Sequence, residues 1–369
     1  MLLLIPGPVT THPDVRQALA CDVAPWDNEF RALYAGVLHR LLPIAEADAD
    51  THAVLALQGS GHMVVEAAIR TFVPHGGTIL IPATGAYADR MTRLAREAGR
   101  VVIHVKVAEG ERTDPELVAA ALRAHPEASH LGAVYSETGS GVIHDVPALA
   151  AVAGAAGRRV LVDAVSAFGI MKLPLRDLPM VDAAMFTSNK GLEAPPGLGF
   201  AAARIDRLRE SAGRAQSWSL DLADIYAHGL RSPGSFRFTP PGQVLVALDV
   251  ALGRFEAEGR AARHARYTAN MRTLYDGVCA LGLRPCLAPA VQGPVVVNVH
   301  APDGPAWDLQ AFVDALKRRG VLISNFYNTR FPSFRVGCIG AVRPTDMHGA
   351  VGAIGEAMAE LGVTLRRAA

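Results

Sequence analysis

Val181-Asp182-Ala183-Ala184-Met185-Phe186-Thr187-Ser188-Asn189-Lys190 sets the reading of the whole chain: an apolar run with strand character, a polar ending, and then the turn Ala194-Pro195-Pro196-Gly197. A short apolar run closed by a Gly/Pro turn is the pattern of a buried parallel strand, and it leaves the lysine at the strand's carboxyl end. Ligands of open α/β sheets bind along that edge. An amine there is only semi-exposed, so desolvation and neighbouring charges can hold it neutral and nucleophilic. Most loop lysines are solvated charges, and what separates this one is a second stretch upstream. Arg159-Val160-Leu161-Val162-Asp163-Ala164-Val165-Ser166 reads as another buried strand, and it ends in the carboxylate of Asp163 on the same edge.

Strand, carboxylate, strand, lysine is the order that pyridoxal phosphate chemistry needs: the amine condenses with the cofactor aldehyde, and the carboxylate keeps the pyridine nitrogen protonated as an electron sink. On these residues the sequence resembles the class V aminotransferases of the type I pyridoxal-phosphate-dependent transferase fold. The resemblance implies an α/β fold whose large domain is built on a mostly parallel seven-stranded sheet, with a smaller C-terminal α+β domain. It divides the chain into an arm over 1–20, a large domain over 21–245, a long connecting helix over 246–281 and a small domain over 282–369.

Composition agrees. A chain of 369 residues exceeds the size at which one core usually keeps growing, so two domains are expected. Its 36 basic and 35 acidic side chains nearly cancel, which leaves no field to draw nucleic acid or an anionic membrane. Cys21, Cys279, Cys286 and Cys338 show no metal or disulfide spacing, as suits a reducing cytoplasm. The opening Met1-Leu2-Leu3-Leu4-Ile5 lacks a basic start and meets Pro6-Gly7-Pro8 too soon for a signal peptide. No apolar run is long enough to span a bilayer.

Taken in order, the other stretches fit the same plan. Ala53 to Leu57 reads as a strand, then comes Gln58-Gly59-Ser60-Gly61-His62 and an amphipathic helix. Amides freed at a helix start point at a phosphate, and glycines allow close approach. A Gly-Ser-Gly turn alone is a weak signal, and its place before the first helix of an α/β domain strengthens it. By resemblance, Ser60, Gly61, His62 and Asn189 cradle the cofactor phosphate, Tyr87 and Val165 pack on the two faces of its ring, and Thr138 reaches the ring hydroxyl or the phosphate. Thr113-Asp114-Pro115-Glu116 reads as a capping box, and Asp145 as a helix N-cap. Tyr135 and Gly139 depart from the family pattern around Glu137-Thr138, and Gly191-Leu192-Glu193 follows the lysine.

Phe236-Arg237-Phe238-Thr239-Pro240-Pro241 precedes a helical run from Val244 to about Leu281, on which Arg263-His264-Ala265-Arg266-Tyr267 reads as a solvated or ion-paired face. In the resembling family such a loop crosses to the partner subunit's cofactor phosphate, so the resemblance implies a homodimer with shared sites and gives Thr239 that contact. Arg335 sits inside a late apolar strand, where an arginine is costly to bury without an anion. It matches the family arginine whose planar fork takes a substrate carboxylate or phosphonate.

These residues together imply a pyridoxal 5′-phosphate-dependent aminotransferase with Lys190 and Asp163 as catalytic groups and no metal. Its partners would be a small amino donor and a 2-oxo acid. The whole-chain resemblance implies transfer of the amine of 2-aminoethylphosphonate to pyruvate. Alanine:glyoxylate or serine:pyruvate exchange, which needs the same lysine, aspartate and arginine, is the alternative. A desulfurase would need a loop cysteine, and Asn325 to Ser333 holds none; a nucleotide-binding module would need a phosphate-loop lysine that the Gly-Ser-Gly turn lacks.

Overall fold

The computed structural model describes residues 1–326 and 329–364; Tyr327 and Asn328, within the loop expected to lack a sulfur-accepting cysteine, lie outside the described residues. Seven strands form the central sheet in the order His52–Gly59, Gly197–Arg204, Val181–Thr187, Arg159–Asp163, Ala128–Val134, Thr78–Ala83 and Val101–Lys106. Only Gly197–Arg204 runs against its neighbours. Strand-helix alternation accounts for the rest, because each parallel pair needs a crossover and a helix supplies it.

Every residue of Val181–Thr187 is buried, as expected of a strand covered on both faces. Phe186 is registered opposite Phe200, with ring centroids 5.4 Å apart, and stacks on Phe168 at 3.5 Å and 8°. Truncating such a fully buried aromatic costs about 3–5 kcal/mol, so this stack fixes the strand that carries Lys190. Asp182 on the same strand is fully buried near the opposite edge. Burial alone would raise its carboxyl, but His130 at 3.2 Å and Arg159 at 2.5 Å hold it below the usual range.

One core cluster fills the face covered by the helices Asn28–Ile44, Val146–Ala155 and Gly242–Glu258, and another the face under Gly61–Phe72 and Ala86–Glu97. A third lies in the C-terminal region, where Val296–His300 and Ser333–Gly337 pair antiparallel and Leu309–Arg318 and Pro344–Glu360 cover them. The opening residues join this region: Leu2 and Leu3 pair in parallel with Val321 and Leu322, and the Leu4 carbonyl accepts the Gly337 N–H at 2.8 Å.

Two local expectations change. Two helices, Gly242–Glu258 and Arg260–Ala280, stand where one was expected over 246–281; Gly259, at φ +76°, breaks the run because that left-handed backbone suits glycine. The helix after Thr113 is capped by Asp114, whose side chain accepts the Glu116 N–H, while Thr113 is buried against His144. Trp26, just ahead of the helix Asn28–Ile44, is largely exposed.

Candidate active site

The ends of His52–Gly59, Arg159–Asp163 and Val181–Thr187 converge with the start of Gly197–Arg204 on one cavity of about 310 Å³. Lys190 lies in its wall, with only 8% of its surface exposed, and Nζ donates to the Pro6 carbonyl at 2.7 Å. Burial brings the amine down to about 7, and the nearby charge of Arg335 and Arg90 adds to that against the opposing pull of Asp163. The neutral form that a nucleophilic amine requires is therefore well populated at neutral pH, about half of the lysine at a pKa of about 7. Gly7 makes the approach possible: a Cβ there would stand 2.4–2.6 Å from the Lys190 side chain.

Asp163 sits across the cavity, its Oδ1 accepting the Val165 N–H at 3.0 Å. No hydrogen bond reaches its other oxygen among the described residues, and burial pushes the carboxyl up to about 6. Such a carboxylate is matched to a protonated ring nitrogen, which would restore the pairing that burial calls for.

On one side, Ser60 is the N-cap of the helix Gly61–Phe72 with extended backbone and no side-chain cap bond, and its Oγ meets His62 Nδ1 at 2.9 Å. The amides that open this helix stay available to an anion. Gly61, Asn189 and Thr187 line the same wall, and the Thr187 hydroxyl is buried without a partner. Tyr87 and Val165 also line the cavity. Ser60, Gly61, His62, Tyr87, Asp163, Val165, Asn189 and Lys190 are thus brought together in one cavity.

Thr138, Thr239 and Arg335 stand outside that lining. The Thr138 hydroxyl is buried and donates to Ser166 Oγ at 2.8 Å, which differs from the expected direct reach toward a ligand. Its carbonyl accepts from Arg335 Nη1 at 3.4 Å. Thr239 is exposed on a loop anchored by Arg237, whose Nε meets Asp224 Oδ2 at 2.7 Å and whose guanidinium stacks on Trp218 and Phe238. Arg335, in the strand Ser333–Gly337, is 4% exposed; its Nε is buried and unpartnered, and Phe326 covers its guanidinium at 4.8 Å. Burial lowers its pKa, and Tyr87 and Glu137 offset this in part. Among the described residues no carboxylate pairs with it, so it is a cation awaiting an anion.

Four features escaped the sequence reading. Glu137 is fully buried and joins two parts of the site: its carboxylate accepts the Tyr87 N–H at 3.3 Å and the Gly139 N–H at 3.1 Å, and burial takes it up to about 7. Arg90, one turn beyond Tyr87 on the helix Ala86–Glu97, lines the cavity. Tyr135 points away from the cavity, its hydroxyl donating to the Lys172 carbonyl at 2.7 Å. Arg263 and Arg266 are ion-paired, but the face is not solvated. Arg263 is 1% exposed and donates to Glu258 and to the Gly191 carbonyl, both at 2.7 Å. Arg266 meets Glu258 at 2.6 Å and Glu193 at 2.8 Å, and the buried Tyr267 hydroxyl donates to Glu193 as well. Only the spacing of Arg90 three residues after Tyr87 offered a sequence signal; Glu193 lies 70 and 73 positions from the two arginines it pairs with.

A lysine of lowered pKa, a carboxylate with one free oxygen, an anion-ready helix start and an unpaired buried arginine suit amine transfer to and from an anionic substrate. Comparison with known proteins agrees. Residues 47–325 match the family described as Aminotransferase class-V. The chain is 41% identical over 363 residues to 2-aminoethylphosphonate–pyruvate transaminase 2 of Burkholderia lata, covering 98% of this chain and 96% of that protein. It is 39% identical over 363 residues to 2-aminoethylphosphonate–pyruvate transaminase of Pseudomonas fluorescens, covering 98% of each. The structure superimposes on pyridoxamine-pyruvate aminotransferase from Mesorhizobium loti with a TM-score of 0.90 at 29% identity, covering 99% of this chain and 93% of that one. The fold is that of the pyridoxal-phosphate-dependent aminotransferases, and by sequence and structure the chain belongs to the class V aminotransferase family.

Proposed function

We propose that this chain transfers the amine of 2-aminoethylphosphonate to pyruvate, giving phosphonoacetaldehyde and L-alanine, with pyridoxal 5′-phosphate as cofactor. The observation that carries the reading is the buried, unpaired guanidinium of Arg335 beside a lysine cavity, in a chain similar end to end to relatives that bear this activity in their names. A phosphonate and a carboxylate each offer two oxygens to one guanidinium fork, so a single arginine can serve donor and acceptor in turn.

The cavity fits the cofactor. The free Asp163 oxygen suits a protonated pyridine nitrogen, the helix start at Ser60, Gly61 and His62 with Asn189 suits the phosphate, and Tyr87 and Val165 suit the two ring faces. When bound, pyridoxal 5′-phosphate supplies an aldehyde for the amine and an electron sink for the substrate carbon. Lys190 supplies the neutral amine that takes and returns the proton at that carbon. Its contact with the Pro6 carbonyl orients the lone pair, and burial keeps water from competing. Asp163 holds its proton partner through both half-reactions, and Arg335 fixes the anionic end of each substrate. Thr138 supports this arginine through its carbonyl.

The reading includes a homodimer in which Thr239 of each copy completes the other's phosphate site. Thr239 is exposed and does not line its own cavity, and the exposed Trp218 beside Phe238 suits a covered interface. It also places the protein in the cytoplasm, which suits four free cysteines. No helix among the described residues is long and apolar enough to cross a membrane.

The test is kcat/KM for 2-aminoethylphosphonate beside L-alanine, L-serine and β-alanine, each with pyruvate and with glyoxylate. The phosphonate is expected to lead with pyruvate. An α-amino acid leading as donor would move the chain to alanine:glyoxylate or serine:pyruvate exchange.

A further inference from the structure

One charged group in the Lys190 cavity has no part in the chemistry above. Arg90 lines the same cavity as Tyr87, Asp163 and Lys190 and is exposed. Its guanidinium carbon lies 4.7 Å from the centre of the Tyr87 ring, and among the described residues it makes no hydrogen bond and no ion pair. The next arginine on that helix behaves differently: Arg93 is paired with Glu97 at 2.8 Å. Arg90 is thus a cation held against an aromatic face with its donors unused. Arg335 is the second such group: its buried Nε has no partner, its Nη1 reaches the Thr138 carbonyl at only 3.4 Å, and Tyr87 contacts it without carrying a charge to neutralise it. Both guanidiniums also act on the Lys190 amine, each favouring its neutral form, which sets them within electrostatic reach of the nitrogen where the reaction occurs.

A carboxylate has one charge and two oxygens, which one fork satisfies. A phosphonate has a third oxygen and, like a phosphate monoester, carries close to two charges at neutral pH. A second donor is needed to tell the two apart. We propose that Arg90 is the specificity-determining residue of the substrate anion site: it takes the third oxygen and the extra charge of a phosphonate, while Arg335 takes the pair of oxygens common to both anions. This rests on the reading of the cavity as a phosphonate-donor transaminase site. It also says why pyruvate and alanine do without Arg90. Tyr87 sets the guanidinium in place before substrate arrives, so little ordering is needed on binding.

Arg90→Gln removes the charge at an exposed position where the Tyr87 ring contact is lost but no hydrogen bond or ion pair, and a thermal melt matching the wild type checks the fold. Two measurements are made on the enzyme loaded with pyridoxal 5′-phosphate. In the first, kcat/KM for 2-aminoethylphosphonate with pyruvate is expected to fall roughly ten- to hundredfold through KM, the effect of one or two charge-assisted bonds, while alanine–glyoxylate exchange changes by less than about threefold. In the second, ethylphosphonate and propionate are compared as competitive inhibitors of alanine–glyoxylate exchange. The wild type is expected to favour ethylphosphonate, and Arg90→Gln to erase that preference. Equal losses toward phosphonate and carboxylate, or a weaker affinity for pyridoxal 5′-phosphate by absorbance titration, would show that Arg90 serves the cofactor or the fold and overturn the proposal. An unchanged inhibitor preference would overturn it whatever the donor. If the wild type rejects 2-aminoethylphosphonate yet Arg90→Gln still erases the preference, the donor assignment falls and the second guanidinium stands.

Discussion

Replacing Glu193 with glutamine keeps the shape of the side chain and removes one charge from a cluster of four. Arg263, Arg266, Glu193 and Glu258 form a neutral group in which Arg263 is fully buried and Arg266 half-buried. With Glu193 neutral, two guanidiniums share one carboxylate and the group is left with a net positive charge. Removing one member of a buried pair costs about 3–5 kcal/mol. Glu258 still binds both arginines and Arg266 touches water, so an effect of about 2–4 kcal/mol is expected for Glu193→Gln. Glu193→Ala also leaves the buried Tyr267 hydroxyl without its acceptor, which adds about 1–3 kcal/mol. Glu193→Gly is expected to recover roughly 0.5–1 kcal/mol of the alanine loss, because Glu193 holds a left-handed backbone at φ +57°. The assay is thermal unfolding followed by circular dichroism, with kcat measured alongside. Activity should fall with stability, because the Glu193 N–H donates to the Lys190 carbonyl at 3.0 Å and Arg263 holds the Gly191 carbonyl. Melting temperatures within about 1 °C of wild type for both Glu193→Gln and Glu193→Ala would refute the energetic role given to this cluster.

Lys190→Ala is expected to abolish transamination and the visible absorbance of the loaded protein while leaving pyridoxal phosphate bound through the helix start at Ser60; full turnover by that variant removes Lys190 from the chemistry. The rate at which cofactor-free protein takes up pyridoxal phosphate should rise with pH through about 7 and level off, because the neutral amine is the reactive form and burial with Arg335 brings its pKa down to there. Arg335→Met removes a neighbouring positive charge, so the same inflection should move to higher pH; a shift the other way contradicts the electrostatics. If the proposed homodimer forms, Thr239→Ala should weaken cofactor affinity and leave the sedimentation coefficient unchanged, and sedimentation showing a fully active monomer would exclude the shared site.

What the sequence made legible is local. Val181 to Phe186 and Arg159 to Val162 are largely apolar runs whose polar endings hold Lys190 and Asp163, and a buried strand displays such groups at its carboxyl end. The anion-ready helix start at Ser60 needed only a strand, a glycine turn and an amphipathic stretch. Charge burial is a different matter. Glu258 lies only five and eight residues from Arg263 and Arg266, but Glu193 lies 70 and 73 residues away, and the basic stretch has the composition of a solvated face. Arg90 sits among Asp89, Arg93 and Arg96 on a strongly charged helix, and only the cavity distinguishes it from its neighbours. The helical periodicity of 244–281 ran through Gly259, which an isolated glycine does not always interrupt.

The first ten residues of the chain find their partners among its last fifty. Leu2 and Leu3 wait for Val321 and Leu322, the Leu4 carbonyl for Gly337, and the Thr10 carbonyl for Ala341, whose N–H it accepts at 2.7 Å. Yet it is this segment that delivers the Pro6 carbonyl to Lys190. On a ribosome adding about 5–20 residues per second, roughly 15 to 60 s pass between emergence of the arm and emergence of the strands that pin it. Through that interval the sheet can close and the lysine can be buried, while the apolar Leu2-Leu3-Leu4-Ile5 remains an unpaired, sticky strand exposed to chaperones and neighbouring chains. Docking of this arm waits on the C-terminal strands, and a chain stalled near residue 300 would carry a complete cofactor wall with no clasp to hold its amine in place.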